Sequence, residues 1–389
     1  MGGISRNPWL AAALLTVLAL GAMGLGSTIL TCGLAAILGL AGVVLFRGNR
    51  WRTGALLLSA VAVSLAFLNA MAGWLGPSPL GQGVVYAPEF ASWAPPDPVL
   101  GYRLRSNATV HASATLGLEA VYIATYTIDK DGWRATPEAP AGADTYLFIG
   151  DSCVFGQGLN DDQTLAAQFA KANGFKVGTA NLSAPGYGPN HLVRAFEAGL
   201  LDRYLDRPVK AVVTWIKPPD LARVTGDETW LKSSPRYALE NGTVRYTGTF
   251  SEHRWRHPVE GLAYLASEQF AFIRAIGMRQ RQELQADLIV ALIGRLHALA
   301  RERFGAPLIV IYQWPDETSD AKDWHPDYRQ QWLKAVFARV RGLGTSLVSV
   351  GELMDGTKLS ERIIVHDGHP TALVNHRIAI ELKRRLNGP

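Results

Sequence analysis

Cysteine is nearly absent: the 389 residues hold two, Cys32 and Cys153. One lies in an apolar run and the other behind a strand-like segment, so no disulfide framework can be drawn from them. The fold must rest on its own core, which a chain of this length can build. Charge of one sign is scarce too. The formal net charge is +5, and the lysines and arginines are scattered. No basic cluster carries interleaved aromatics, which excludes nucleic acid as a partner. No internal repeat is visible, which excludes solenoids and propellers.

Charge is missing altogether from residues 8–26, 27–46 and 54–75. Each run approaches the ~20 residues needed to cross a bilayer, so the sequence predicts three transmembrane helices, with the membrane bilayer as a partner. Arg6 precedes the first run, and Arg47, Arg50 and Arg52 separate the second from the third. The positive-inside bias then predicts a multi-pass bacterial inner-membrane protein. Its N-terminus would be cytoplasmic and its large C-terminal domain periplasmic or otherwise extracytoplasmic. A cleaved signal peptide in the first run would leave that domain on the same side. With no ionisable residue inside them, the runs read as an anchor and not as a transport path.

The rest of the chain divides into a linker with a small β segment (77–143) and a larger domain (144–389), behind the anchor at 1–76. Pro77, Pro79, Pro95, Pro96 and Pro98 suit an extended tether. Thr109 to Thr127 alternates and is rich in Val, Tyr, Ile and Thr, which predicts strands. Asp129-Lys130-Asp131-Gly132 reads as a turn into a further short strand, with Trp133 and Arg134 either touching substrate or closing the interface between modules. Beyond it, strands are predicted near 145–149, 176–181, 209–216, 307–313 and 345–350, with helices between them. That alternation gives a doubly wound α/β sheet with its site at the carboxyl ends of the strands. Residues 220–258 read as an irregular insert, where His253, Trp255 and His257 form either a sugar-binding lip or a plain surface loop. Trp314, after the fourth strand, either stacks on a sugar or packs.

The most informative stretch is Tyr146-Leu147-Phe148-Ile149-Gly150-Asp151-Ser152. An apolar strand stops, a tight turn follows, and a helix begins. A serine there stands above the sheet edge beside the free N–H groups of the helix start, where it can attack a carbonyl while the amides hold the oxyanion. The bland alternative is a serine that only caps the helix. Far downstream, His366-Asp367-Gly368-His369-Pro370 offers a base and a carboxylate. His366, Asp367, His369 and His376 also form a possible metal set, weighed against the serine partner that such a set would not need.

Residues 144–389 resemble the SGNH (GDSL-like) hydrolase superfamily. Gly150-Asp151-Ser152 resembles its first block, and Asn181 through Gly188 resembles the second, with Gly186 as the oxyanion glycine. Asp367-Gly368-His369-Pro370 resembles the last block, although the carboxylate sits two residues before the histidine and not three. The third block departs further: Asp220 matches the family aspartate, but Pro219 stands where an oxyanion asparagine belongs. Proline offers no donor, and losing one such donor costs roughly 2.7–4 kcal/mol of transition-state stabilisation. Asn190 or His191 would have to substitute.

The resemblance implies a flavodoxin-like three-layer α/β domain. It implies Ser152 as nucleophile, His369 as general base and Asp367 as its orienting carboxylate, with His366 as the alternative. Gly186 and Asn190 would bind the oxyanion, Asp151 would hold the turn, and no cofactor or metal is needed. Three functions follow. The first is an extracytoplasmic serine esterase or O-acyltransferase acting on an acylated envelope glycan or lipid-linked sugar, the transferase requiring a membrane acyl-donor protein. The second is a lipid carboxylesterase. The third is a non-catalytic glycan-binding or scaffold module, which Pro219 favours.

Overall fold

The computed structural model describes residue 39 and residues 48–75, 83–269, 278–313 and 327–387. The chain forms two units, Met1–Gly76 with Arg254–Arg281, and Pro77–His253 with Gln282–Pro389. In the first unit, a helix runs over Asn49–Leu75 and another over Pro258–Gln269.

The three-span expectation does not hold. Among the described residues no helix is long and apolar enough to cross a membrane. This overturns both the transmembrane anchor and the multi-pass inner-membrane location. Residues 8–26 lie outside the described residues, as do residues 27–46 apart from Gly39. The third run lies on the helix Asn49–Leu75, which opens on exposed Arg50 and Arg52. Within the run, Ser59 and Ser64 bring in polar groups, and their hydroxyls donate to the Ala55 and Ala60 carbonyls of their own helix.

The second unit is built on a five-stranded parallel sheet. Its strands follow a small antiparallel sheet of β1 (Val84–Ala87), β4 (Thr109–Leu116) and β5 (Glu119–Thr127), with the two-residue pair β2 (Pro96–Asp97) and β3 (Gly101–Tyr102) between. The parallel strands are β6 (Thr145–Gly150), β7 (Gly178–Ser183), β8 (Val209–Ile216), β11 (Leu308–Tyr312) and β12 (Ser346–Ser349). Their order across the sheet is β12-β11-β8-β6-β7. Counted along the chain, that is 2-1-3-4-5, the flavodoxin-like arrangement whose switch point falls between the first and third strands. Central parallel strands bury both faces, and every residue of β6 and β11 is buried.

Alternate residues feed two cores, one on each side of the sheet. Leu147, Ile149, Val212 and Val310 pack with Leu292 and Leu296 of the helix Met278–Phe304. Phe148, Val213, Ile309 and Ile311 pack with Phe169 of the helix Leu165–Ala172 and Ile378 of the helix Ala372–Asn387. This is the three-layer sandwich expected from the alternation of elements. The first core also takes in Trp93, Tyr126, Ile128 and Trp133, so the small β segment shares its core with the large sheet.

The stretch predicted as irregular is ordered. A helix covers Pro219–Thr225, β9 (Pro235–Glu240) pairs antiparallel with β10 (Thr243–Thr249), and a helix covers Phe250–Arg256. The hairpin turns on Asn241 and Gly242, both at positive φ. Asn-Gly is the strongest short-range signal for a two-residue hairpin turn, and the charged and aromatic composition around it masked that signal. Trp314 lies outside the described residues.

Candidate active site

The site begins where β6 ends. Gly150 is required there because a Cβ would run into Val154 of the next turn. Asp151 then caps the helix Ser152–Phe155 by accepting from the Cys153 N–H at 2.9 Å. Ser152 is the first residue of that helix, so its N–H has no intrahelical acceptor and stays free for a ligand oxygen.

The second segment arrives from 217 residues away. His369 Nε2 lies 2.8 Å from Ser152 Oγ. Its Nδ1 lies 2.5 Å from Asp367 Oδ2. The two-residue spacing works because the chain folds back tightly: His366 and Gly368 both take positive φ, the Gly368 N–H donates to the Ile364 carbonyl, and the Ile364 N–H donates to that of His369. His366 is exposed, whereas Asp367 is buried against the imidazole. Burial works to raise the Asp367 carboxyl, but its bonds to His369 and Tyr86 outweigh this and hold it below its ordinary value.

Tyr86, on β1, donates its hydroxyl to Asp367 Oδ1 at 2.9 Å. A residue from the small β segment therefore completes the carboxylate's coordination. Sequence reasoning missed it, because nothing in Val84-Val85-Tyr86 distinguishes it from an ordinary strand.

Gly186 sits at φ +84, and a Cβ there would lie 2.6 Å from Tyr102 Oη and 3.1 Å from Trp230 Nε1. Tyr102 fixes this turn by donating to the Pro185 carbonyl at 2.6 Å. Trp230 is half exposed beside it. Asn190 is fully buried and donates Nδ2 to the Pro235 carbonyl at 2.7 Å, so its amide serves β9. His191 stacks on Tyr187, accepts from the Gly188 N–H, and is pushed down to about 3 by burial. A neutral, stacked histidine of that kind is a core residue.

Behind the serine lies a buried ionic cluster that the sequence reading did not assemble. Lys217 follows β8 directly. Its ammonium lies 2.8 Å from Asp151 Oδ2, 2.9 Å from Cys153 Sγ and 3.4 Å from Ser152 Oγ. Arg223 donates to Asp151 at 2.6 Å, to Asp220 at 2.9 Å and to the Tyr187 carbonyl at 2.9 Å. Asp220 also accepts from the Lys217 backbone N–H at 2.9 Å. Burial opposes ionisation of Asp151, but Lys217 and Arg223 overcome it and hold the carboxyl well below its ordinary range. Asp220 goes the other way: burial, helped by the Asp151 charge, pushes it up to about 6 against the pull of Arg223. Burial pushes the Cys153 thiol up to about 12, and Lys217 moderates the shift. The available signal was a lysine directly after the strand at the carboxyl edge of the sheet, with Asp220 and Arg223 one helical turn apart.

Trp133 and Arg134 are buried. Arg134 pairs with Asp161 at 2.8 Å, donates to the Leu159 carbonyl, and lies over the Tyr126 and Phe155 rings. It ties β5 to the helix that carries Ser152. In the former insert, Arg254 lies over the Tyr264 ring and Trp255 is exposed. His376 lies by Gln168 on the surface. Among the described residues no group of three or more His, Cys, Asp or Glu is placed to hold a metal ion.

No family model matches the chain, and no curated protein does. Solved structures similar to it include proteins described as an SGNH hydrolase, a GDSL-like lipase and a carbohydrate acetylesterase family member. One, described as a putative SGNH hydrolase from Slackia heliotrinireducens, is 12% identical over 63% of this chain and 100% of its own, with a TM-score of 0.34. TesA is 16% identical over 63% and 99%, with a TM-score of 0.35. A carbohydrate acetylesterase family member from Sinorhizobium meliloti is 14% identical over 63% and 100%, also at 0.35. At such identities the activity of this chain has to be argued from its own site.

Proposed function

We propose that the protein is a serine ester hydrolase of SGNH type that removes acyl groups from an acylated glycan through an acyl-serine on Ser152. The observation that carries this reading is the Ser152–His369–Asp367 chain, with contacts of 2.8 and 2.5 Å. Ser152 Oγ attacks the ester carbonyl carbon while His369 Nε2 takes the hydroxyl proton. The carbonyl electrons move to the oxyanion, held by the N–H groups of Ser152 and Gly186. The oxyanion collapses, the C–O bond to the alcohol breaks, and His369 returns the proton to the leaving alkoxide. Water, deprotonated by the same imidazole, then cleaves the acyl-serine. A sugar hydroxyl in place of water gives acyl transfer by the same steps.

The glycan assignment is supported by the half-exposed Trp230 beside Gly186, a flat face suited to a sugar ring next to the scissile ester. The test treats the full-length protein with a fluorophosphonate probe, beside Ser152→Ala and His369→Ala, and compares release of acetate from an acetylated oligosaccharide with turnover of a long-chain aryl ester. Labelling and acetate release that vanish in both variants are expected. An unlabelled, folded wild type would overturn the reading, and a preference for the long-chain ester would replace the glycan with a lipid.

A further inference from the structure

We propose that Lys217 is a further catalytic residue: its ammonium orients the Ser152 hydroxyl and stabilises the negative charge that builds on Oγ as the proton leaves. This rests on the serine esterase reading above and deepens it. The ammonium has three protons and three partners, Asp151 Oδ2, Cys153 Sγ and Ser152 Oγ, at 2.8, 2.9 and 3.4 Å. Ser152 Oγ therefore accepts from Lys217 on one side and faces His369 Nε2 at 2.8 Å on the other. A cation cannot accept a proton, so the hydroxyl hydrogen has only the imidazole to point at. The hydroxyl is held ready to donate along the line of transfer.

During attack an Oγ lone pair forms the new C–O bond, the O–H pair stays on Oγ, and the proton passes to Nε2. Lys217 neither gains nor loses a proton. It supplies a fixed positive charge beside the buried Asp151 and Ser152, where such a charge acts more strongly than in water and needs no reorganisation. The cation comes from directly behind the end of β8. Asp151, shared by Lys217 and Arg223, keeps the ammonium charged and aimed.

The competing explanation is that Lys217 only braces the turn through Asp151. Lys217→Met keeps the length of the stem and removes the charge. In the full-length protein it is expected to lower both kcat and the rate of fluorophosphonate labelling by about 10²–10³-fold, with KM nearly unchanged. In Lys217→Ala, added ethylammonium is expected to restore part of the labelling rate with saturation. A folded Lys217→Met that labels within about threefold of wild type would overturn the proposal. So would a Lys217→Ala protein that is folded, slow and indifferent to the amine. Should Lys217→Met fail to fold, the alanine variant with and without ethylammonium, measured below its melting temperature, decides between charge and bracing. Failure of the wild type itself to label would sink the esterase reading, a different result from equal labelling of wild type and variant.

Discussion

Neighbouring strands β6 and β8 end in turns of opposite kind at the same edge of the sheet. After β6 comes Gly150-Asp151-Ser152, a sharp turn that needs a glycine and presents a serine. After β8 comes Lys217-Pro218-Pro219-Asp220, a rigid turn that starts a helix on proline and sends a lysine sideways to that serine. The first turn carries its meaning in adjacent residues. The second has none until its neighbour is in place, since a lysine, two prolines and an aspartate suggest a solvated helix start. A sheet thus combines one turn legible in isolation with one that becomes functional only through pairing.

The largest effect expected on this comparison comes from removing the nucleophile. Ser152→Ala should lower kcat by at least about 10³-fold, read as loss of both ester turnover and probe labelling. If turnover survives, the β6 turn is merely a helix cap. Next comes the geometry of that turn. Gly150→Ala places a methyl group against Val154 and should cost about 1–3 kcal/mol of stability, measured by denaturant unfolding. An unchanged midpoint would show that the turn does not depend on glycine.

A smaller effect tests the bridge from the β segment. Tyr86→Phe removes the hydroxyl that donates to Asp367. A net hydrogen bond of about 0.5–1.5 kcal/mol converts to a loss of roughly 2- to 13-fold in kcat/KM. No change would mean that His369 alone orients the carboxylate. The smallest effect concerns the β8 turn. An ordinary aspartate ionises near ~3.9, whereas Asp220 in the fold ionises at about 6. Between those values the folded chain keeps a proton that the unfolded chain has released, so stability falls as pH rises through that window. Asp220→Asn should remove this part of the slope of Tm against pH between about 4 and 6, since asparagine cannot titrate. A slope identical to wild type would show that Asp220 is ionised throughout, with Arg223 prevailing over burial.

Much of the fold was legible. Four of the five parallel strands fall within one residue of the expected positions, because a buried parallel strand is a continuous apolar run bounded by turn residues. The second strand came two residues later than expected at both ends, at Gly178–Ser183. The β9–β10 hairpin was missed although Asn241-Gly242 marked it. The transmembrane reading failed because no described helix is long and apolar enough to cross a membrane. Asn190 was chosen for its place near Gly186 along the chain, yet its amide serves Pro235.

By itself the sequence determined the alternation of strands and helices, the turn that carries Ser152, and the downstream segment that carries His369. These depend on hydrophobic period and turn chemistry, which adjacent residues encode. Only the tertiary structure decided that Asp367 and not His366 backs the imidazole, that Tyr86 completes the carboxylate from 281 residues away, and that Lys217 reaches Ser152 across 65. Those choices are set by strand order and by a positive-φ turn at His366 and Gly368. Contacts of that range leave no periodic trace in the chain, because what selects them is the packing of the sheet.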